Sequence, residues 1–243
     1  MSEIKEHINQ DQHIQKVESF FDQWNIYQKV IKNNYMFHEQ IHQIIHELLL
    51  EHFNKKPFSL LDLGCGDSSS IAKTIKDIPI SYYHGIDISE IALETAKENF
   101  ASYSFDKVFS HGDFFEIINQ LKTKFDVILS GYSLHHLQIW QKDIFFGSSR
   151  EILKKGGLLL IYDQIKKYDE TRDKYLERYW DNCNNNRKEM TAEELKNTKK
   201  HIFEGDFPEN IDTFMYLANK HGFWKTSILY RDPPLLLGLI CFV

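Results

Sequence analysis

Cysteine is scarce in this sequence of 243 residues. Cys65, Cys183 and Cys241 are odd in number and widely spaced, so they match neither the paired spacing of a zinc ribbon nor a disulfide framework. This pattern is typical of a protein from a reducing compartment. We therefore expect a cytoplasmic location.

Long hydrophobic runs and an excess of basic residues are also absent. The longest apolar stretch, LLLGLICFV at 235–243, is far shorter than the roughly 20 residues of a membrane-spanning helix. The first residues, MSEIKEHINQDQ, lack the apolar segment of a secretion signal. Net charge is −6, and the basic residues form no stripe for binding phosphates. We expect a small-molecule substrate, no nucleic-acid or membrane partner, and an oligomeric state that the sequence leaves open.

What the sequence does contain is an alternation of two kinds of segment. Short apolar runs at 58–63, 80–87, 105–113, 125–131 and 156–163 alternate with helical stretches at 68–77, 89–100, 114–122 and 140–154. Continuous apolar strands separated by helices indicate a parallel sheet that is buried on both faces. After them, Pro233 and Pro234 separate two further strands, too close together for a crossover helix and therefore antiparallel.

Two segments lie outside this alternation. Residues 1–54 are predicted as a helical N-terminal cap, and residues 55–243 as the domain that contains the sheet. Within that domain, residues 164–207 form an insertion after the fifth strand, with a capping box at Thr191 and Glu194 that opens a helix. We expect the cap and this insertion, the lid, to cover the carboxyl ends of the strands.

The stretch LLDLGCGDSSS at 60–70 places two glycines where a strand ends and a helix begins. Gly64 and Gly66 let the backbone approach a ligand closely. Asp87, about 20 residues further on at the end of the second strand, can accept both hydroxyls of a ribose. Taken alone, these features fit a nicotinamide cofactor as well.

Three features favour a different cofactor. Ser69 stands where the dinucleotide fingerprint has its third glycine, and the ordinary dinucleotide fold lacks the terminal hairpin. Asp62 lies two residues ahead of Gly64. A carboxylate there would repel a pyrophosphate but suits a cationic ligand, such as an ammonium group or a sulfonium.

Further motifs follow in order: GIDIS at 85–89, HGDFFE at 111–116, FDVILSGYSLHHL at 125–137 and ILKKGGLLLIYD at 152–163. Together with LDLGCG they resemble, in order and spacing, the motifs of class I S-adenosylmethionine-dependent methyltransferases that act on small molecules. The resemblance implies a Rossmann-like α/β fold, a seven-stranded sheet that is parallel except for one antiparallel strand of the C-terminal hairpin. It also implies S-adenosylmethionine as cofactor and S-adenosylhomocysteine as product.

The resemblance implies roles for individual residues. The loop after the first strand would line the methionine end of the cofactor, through Asp62, Gly64, Cys65 and Gly66. Asp87 would hold the ribose hydroxyls, and Asp113 would accept from the adenine amino group. Phe114 and Ile88 would pack on the adenine ring, and Ser130 would present its backbone near the cofactor's amino group.

A structural alternative stays open for two of these residues. Asp87 and Asp113 could instead cap the helices that follow them. Ser89 is the more obvious N-cap of the helix after Asp87, which would leave the aspartate available to a ligand.

A zinc-peptidase pattern, HEQIH, occurs at 38–42. On a helix, one apolar stripe is formed by Phe37, Ile41, Ile44, Ile45, Leu48 and Leu49. His38 lies at the flank of this stripe, while His42 and His46 turn toward solvent, so no third ligand converges with them. The sequence therefore predicts no metal site, and it leaves His38 as a substrate contact.

Two histidines follow the fourth strand, beside the expected position of the methyl group. Neutral histidine is a suitable base near pH 7, and a base is required only where the nucleophile arrives protonated. We predict His135 and His136 as catalytic residues. The alternative, which is most open for His136, is that the side chain packs and bonds the start of the next helix.

Aromatic residues of the cap and lid are expected to close the site. In most proteins such residues would be plain core, but both segments attach where they can cover the ligand side of the sheet. We expect Tyr27 to contact the cofactor. We expect the substrate to be contacted by Tyr35, His38, Tyr132 and Tyr179.

The sequence thus predicts a methyltransferase that uses S-adenosylmethionine on a small-molecule nucleophile in a lidded pocket. Two alternatives stay open: a regulatory protein that binds the cofactor without turnover, and a protein methyltransferase, which would have an open groove. The methylated atom, whether oxygen, nitrogen, sulfur or carbon, is not specified by the sequence.

Overall fold

Seven apolar runs form one sheet in the computed structural model of the protein, which describes residues 24–243. The strands are β1 (Phe58–Leu63), β2 (Ile80–Asp87), β3 (Asp106–His111), β4 (Phe125–Gly131), β5 (Leu153–Gln164), β6 (Thr226–Arg231) and β7 (Leu237–Phe242). Their order across the sheet is β3-β2-β1-β4-β5-β7-β6. Strands β1 to β5 pair in parallel, and β7 is antiparallel to β5 and β6. The predicted Rossmann-like fold is confirmed.

Helices precede the sheet and connect its strands. They are α1 (Trp24–Lys32), α2 (His38–Phe53), α3 (Ser69–Thr74), α4 (Glu90–Asn99), α5 (Phe114–Ile118), α6 (Ile139–Ile152), α7 (Arg172–Asn186), α8 (Ala192–Gly205) and α9 (Ile211–Lys220), with a single 3₁₀ turn at Leu134–His136. In the described part of the chain, no helix combines the length and apolar character needed to cross a bilayer.

Both faces of the sheet are covered, which explains the continuous apolar runs. Every residue of β1 is buried. Its side chains alternate between two hydrophobic clusters, with Leu61 and Leu63 on one face and Phe58 and Leu60 on the other. A strand at the centre of the sheet therefore needs apolar side chains in both directions.

One helix, α9, was not predicted from the sequence. The side chain of Asn210 caps it by accepting a hydrogen bond from the Thr213 backbone N at 2.8 Å. Phe214, Leu217 and Ala218 then pack into a hydrophobic cluster that includes residues of the sheet. Its position, between the lid and β6, extends the cover over one face of the sheet.

The predicted orientation of His42 and His46 on α2 is wrong. His42 is buried, and its Nδ1 lies 2.8 Å from Oγ1 of Thr74. The Nδ1 atom of His46 lies 2.7 Å from the Thr74 carbonyl oxygen. Helix α2 contacts α3 along this edge as well as the sheet, and helical periodicity in the sequence cannot locate a second neighbour.

The first described helix contacts the lid. Lys29 of α1 forms an ion pair with Glu194 of α8 at 2.7 Å, and Ile26, Val30 and Met190 form a small hydrophobic cluster. The predicted capping box is present, since Thr191 accepts from the Glu194 backbone N at 3.2 Å and Glu194 accepts from the Thr191 N at 2.7 Å. The domain boundary between residues 54 and 55 stays a prediction, and residues 1–23 of the predicted cap lie outside the described residues.

Candidate active site

A cavity of about 370 Å³ opens at the carboxyl ends of β1, β2, β4 and β5, within the size range of small-molecule sites. The loop after β1 forms one wall, and α1, α7 and α8 contribute others. The predicted site residues that line it are Tyr27, His38, Asp62, Gly64, Cys65, Gly66, Asp87, Ile88, Asp113, Phe114, Tyr132, His135, His136 and Tyr179. The topology thus brings the ends of four strands and two outer segments to one place.

The loop after β1 requires its two glycines. Gly64 and Gly66 have φ angles of 70° and 52°, a region that side chains disfavour. A Cβ atom on Gly64 would lie 2.0 Å from Oγ of Ser133, and one on Gly66 would lie 2.8 Å from the hydroxyl of Tyr27. Side chains at these two positions would therefore clash with Ser133 and Tyr27, which pack directly against the loop.

Asp87 ends β2 and holds the same loop. Its two carboxylate oxygens accept hydrogen bonds from the backbone N of Gly66 at 2.7 Å and of Ser89 at 2.9 Å. Ser89 caps α4 through the Ala92 N, as the sequence indicated. Burial raises the pKa of Asp87. A carboxylate has about four lone-pair sites, so two remain for the hydroxyls of a ligand.

Asp62 places a second carboxylate in the cavity. It is buried, and its Oδ2 accepts a hydrogen bond from the Tyr83 hydroxyl at 2.9 Å. Burial raises the pKa of Asp62 to about 7. Among residues 24–243, no cationic side chain forms an ion pair with it. A buried carboxyl without a countercharge favours a cationic ligand.

Asp113 is the N-cap of α5, and it also lines the cavity. Its side chain accepts from the Phe115 N at 2.9 Å, as in the structural alternative raised from the sequence. Phe114 and Ile88 line the same end of the cavity. Capping uses one oxygen of the carboxylate, so the two interpretations are compatible.

A cluster of ionisable groups occupies another part of the cavity wall. The Nδ1 of His135 lies 2.5 Å from Oδ1 of Asp163 at the end of β5, and the His135 backbone N donates to Oδ2 of the same residue. Burial lowers the pKa of His135, but the carboxylates of Asp163 and Asp206 outweigh it and raise the pKa. His136 and His201 lie beside them. This part of the site can take up or release a proton.

Two more residues line the cavity: Tyr132, which follows β4, and His38, the first residue of α2. Tyr132 has a φ of 49°, which is uncommon for a residue other than glycine, and its hydroxyl donates to the carbonyl oxygen of Met36. The ring of His38 lies 5.1 Å from the Tyr132 ring. Burial lowers the pKa of His38 to about 4, and its Nδ1 has no hydrogen-bond partner among the described residues.

The lid contributes a buried cation. Arg187 is 6% exposed, and its Nη2 donates to the Tyr179 hydroxyl at 3.2 Å. No carboxylate of the described residues pairs with Arg187. Both side chains line the cavity. A buried guanidinium without a countercharge favours an anionic ligand group.

Comparison with known proteins identifies the family. A family model described as "Methyltransferase domain" matches residues 54–218, more than half of the chain. The chain belongs to this methyltransferase family. The class recognised from the sequence motifs, S-adenosylmethionine-dependent methyltransferases of class I, is confirmed.

Three proteins are similar to this chain in sequence or in structure. The mRNA cap guanine-N(7) methyltransferase of Schizosaccharomyces pombe is 29% identical over 133 residues, a match that covers 51% of this chain but only 37% of that protein. The structure of the plantazolicin methyltransferase in complex with S-adenosylhomocysteine aligns with a TM-score of 0.64, 17% identity and 98% coverage of both chains. The magnesium protoporphyrin IX methyltransferase of Synechocystis aligns with a TM-score of 0.65 and 14% identity, covering 93% of this chain and 97% of that one. The two structural likenesses support the fold.

Two predicted site residues of the methyltransferase do not line the cavity. Ser130 is fully buried within β4, paired with Leu63 and Ile161 of the neighbouring strands, and the adjacent Gly131 lines the cavity in its place. The Tyr35 hydroxyl accepts from the Glu189 backbone N at 3.1 Å, so this ring packs between the cap and the lid. The sequence of a covering segment does not distinguish an aromatic residue that lines the cavity from one that packs away from it.

Other residues of the site were missed by sequence analysis. They are Asp67, Asp163, Arg187, His201 and Asp206. Asp163 lies at the carboxyl end of a strand within a family motif, and this position is the signal that could have identified it. His201 and Asp206 come from the lid, where no motif extends, so only the folded chain brings them to the cavity.

Proposed function

We propose that this methyltransferase transfers a methyl group from S-adenosylmethionine to a small organic molecule held between the sheet, the cap and the lid. The observation that carries the proposal is the cover over the cavity, where α1 and α8 contact each other through Lys29 and Glu194. A polypeptide substrate needs an open groove. The net charge of −6 likewise disfavours RNA, although a cap methyltransferase is among the relatives.

The residues of the cavity fit S-adenosylmethionine. When bound, this cofactor supplies an electrophilic methyl carbon on a positively charged sulfur. The buried carboxylate of Asp62 matches the cationic methionine end, and Gly64 and Gly66 line the cavity without side chains, so their backbone can approach a ligand closely. Asp87 retains lone pairs for the ribose hydroxyls.

The other end of the cavity suits the adenine. We assign the ring to the apolar side chains of Ile88 and Phe114, and its amino group to Asp113. Cys65 and Tyr27 line the loop side. Burial raises the pKa of both the Cys65 thiol and the Tyr27 hydroxyl well above their ordinary values, so both groups stay protonated and act as neutral contacts.

We assign proton handling to the histidines after β4. Asp163 accepts the Nδ1 proton of His135, which fixes the ring and leaves Nε2 as the nitrogen that can act on an acceptor group. His136 lines the same wall. Positioning supplies the rest of the rate, because methyl transfer is an in-line displacement.

The substrate side is lined by His38, Tyr132, Tyr179 and Arg187. The buried guanidinium of Arg187 supports a substrate with an anionic group, such as a carboxylate or a phosphate, which a guanidinium can bind through two hydrogen bonds. The rings of Tyr132 and Tyr179 supply apolar surface for the organic part. The predicted cytoplasmic location is kept as part of this proposal, and it is supported by three buried, unpaired cysteines.

Two measurements test the proposed function. Calorimetry is expected to detect binding of S-adenosylmethionine and S-adenosylhomocysteine to the purified protein. Incubation with isotope-labelled cofactor and a cell extract, followed by mass spectrometry, is expected to give a labelled small product with an anionic group. Absence of cofactor binding would overturn the proposal. Binding without any product would favour the regulatory alternative, and label found only in protein or RNA would exclude a small-molecule substrate.

A further inference from the structure

Three imidazoles and one carboxylate converge beside the substrate end of the cavity. One nitrogen from each of His135, His136 and His201 and one oxygen of Asp206 all lie within 4.8 Å of one another. His135 and His136 belong to the turn after β4, whereas His201 and Asp206 come from α8 and the residue that follows it. The cluster thus joins the sheet to the lid.

The distances from Asp206 to the three imidazoles are longer than hydrogen bonds and close to those between two ligands of one metal ion. Oδ1 of Asp206 lies 3.7 Å from Nε2 of His135, 3.7 Å from Nδ1 of His136 and 3.5 Å from Nε2 of His201. Hydrogen bonds between such atoms span about 2.7–3.2 Å. Around a tetrahedral zinc ion with bonds of about 2.0–2.2 Å, neighbouring ligand atoms lie about 3.3–3.6 Å apart.

The Asp206 oxygen at the centre of these distances, Oδ1, has no hydrogen-bond partner among residues 24–243. Asp206 is 1% exposed, and its other oxygen, Oδ2, accepts from Nε2 of Gln164 at 2.6 Å. A buried carboxylate oxygen that bonds nothing is costly unless a cation compensates it. The oxygen points at the three imidazoles, so the compensating cation belongs between them.

Asp163 sets the orientation that a metal ligand needs. It accepts the Nδ1 proton of His135, which leaves the lone pair on Nε2 directed toward Asp206. Metal-bound histidines almost always donate their second N–H to a carboxylate or a carbonyl group in this way. The Nδ1 of His136, which lies 3.7 Å from Oδ1 of Asp206, also lies 3.4 Å from the Gly205 carbonyl oxygen.

We propose that His135, His136, His201 and Asp206 bind a divalent transition-metal ion of the zinc type. Three imidazole nitrogens and one carboxylate oxygen form a donor set typical of zinc, and the distances from Asp206 Oδ1 to the three nitrogens, 3.5 to 3.7 Å, are close to those between ligands of a tetrahedral ion. This site differs from the HEQIH helix and from the sequence-based prediction of no metal. His42 of that helix contacts Thr74 and Tyr162 and does not belong to the cluster.

The metal site stands on this geometry alone, but its role in methyl transfer rests on the proposed function. The four side chains line the cavity that we assign to the cofactor and substrate. The four protein ligands complete a tetrahedral shell, so a substrate hydroxyl or thiol would bind the ion as a fifth ligand, and it would then lose its proton to solvent more easily, as a zinc-bound water does. His135 then acts as a ligand, and the ion takes over the activation assigned to its Nε2.

The experiment measures zinc itself. The full chain is stripped with a chelator, dialysed and titrated with Zn²⁺ against a chromophoric competitor, and its metal content is checked by elemental mass spectrometry. We expect one zinc per chain with a dissociation constant of about 10⁻⁷ M or tighter. Asp206→Asn and His201→Gln are each expected to weaken binding at least about tenfold, because each removes one of four ligands.

Matched controls locate the ion. His221→Gln alters a histidine that also bonds a carboxylate, Asp143, but lies outside the cluster, and His42→Ala alters the peptidase-like helix. Both are expected to keep the zinc. Circular dichroism checks folding, and His201→Gln, on the lid, serves if Asp206→Asn does not fold.

Several outcomes would overturn the metal site. Zinc binding that is equal in the wild type and in Asp206→Asn would do so, as would zinc lost from His42→Ala but kept in the cluster variants. A wild type that binds no zinc would show that a proton, shared by His135 between Asp163 and Asp206, fills the cluster instead. None of these measurements requires S-adenosylmethionine, so a failure here is distinct from a failure of the proposed function.

Discussion

The phenolic oxygen of Tyr27 in α1 lies 2.9 Å from Oδ1 of Asp67 in the loop after β1. The same carboxylate oxygen accepts from the backbone N and the hydroxyl of Ser69 at 3.0 and 2.8 Å. Asp67 is therefore the shared anchor of the loop and of the first described helix. The cap contributes to the shape of the cofactor loop as well as covering it.

Tyr27→Phe removes this link and tests it. The hydroxyl bonds a carboxylate, so we expect affinity for S-adenosylmethionine to fall about fivefold or more, and α1 to be cleaved faster in limited proteolysis. Tyr35→Phe is the matched control, because its hydroxyl bonds the Glu189 N and does not reach the loop. Equal affinities in the two variants, measured by calorimetry, would contradict the role of Tyr27.

Asp87→Ala should lower cofactor affinity at least about tenfold. The change removes charge-assisted hydrogen bonds to the ribose, each worth about 1.5–3 kcal/mol, together with the bond to the Gly66 N. Ser89→Ala separates this effect from folding, since it removes the N-cap of α4 and costs about 1 kcal/mol of stability without touching the carboxylate. Calorimetry that finds unchanged affinity in Asp87→Ala would refute the ribose assignment.

His135→Ala should slow methyl transfer by about 10²–10⁴-fold while cofactor affinity stays close to that of the wild type. The loss follows whether the ring accepts a proton or holds a metal ion. Asp163→Asn removes the charge that orients the ring and should slow transfer in the same direction. Steady-state kinetics with the substrate found in the extract screen provide the measurement. Full activity in His135→Ala would indicate a nucleophile that arrives without its proton.

Asp62→Asn should change how stability depends on pH. Burial raises the pKa of Asp62 to about 7, so between about pH 4 and pH 7 the unfolded chain ionises this carboxyl while the folded chain keeps it protonated. Folding then takes up a proton, and this contribution to stability is lost as the pH rises. We expect the free energy of unfolding, measured by urea denaturation without cofactor, to fall between about pH 5 and pH 8 by about 1–3 kcal/mol more in the wild type than in the variant. If the free energies of the two proteins change equally with pH, the raised pKa of Asp62 is disproved.

Arg187→Met should raise KM for an anionic substrate about tenfold or more, because a charge-assisted bidentate contact is lost. Turnover at saturation and cofactor affinity should change much less. Arg178→Met on α7, the helix that ends just before Arg187, is the control, since Arg178 pairs with Glu170 and does not line the cavity. If the two variants change KM equally, Arg187 does not bind the anionic group of the substrate and contributes only to packing.

The sequence predicted the sheet well because hydrophobic periodicity is a local property. The bounds predicted for β1, β2 and β4 agree with the structure residue for residue, and β5 is longer by only a few residues. The predicted site residues Asp62, Gly64, Cys65, Gly66 and Asp87 also line the cavity, since parallel strands bring motif ends to one edge. The parallel topology of the sheet places these residues, which are separate in sequence, around one cavity.

The lid could not be predicted in the same way. His201 and Asp206 reach His135 only because α8 folds back over the end of β4, and nothing in the local sequence fixes that angle. The buried position of His42 likewise depends on a neighbour, Thr74, that is 32 residues away in sequence. Contacts between segments that pack at irregular angles depend on shape complementarity. Hydrophobic periodicity in the sequence does not report it.

The link between Lys29 and Glu194 bears on how ligands reach a covered cavity. Both side chains are partly exposed, at 32% and 17%, and such ion pairs contribute about 0–1 kcal/mol. The apolar contact beside it is small, formed by Ile26, Val30 and Met190 with the partly buried Tyr35, Met36 and Leu195. Separating these contacts costs far less than unfolding the sheet. Cofactor and product can therefore exchange through a sparsely populated open state in which the nucleotide-binding core stays intact.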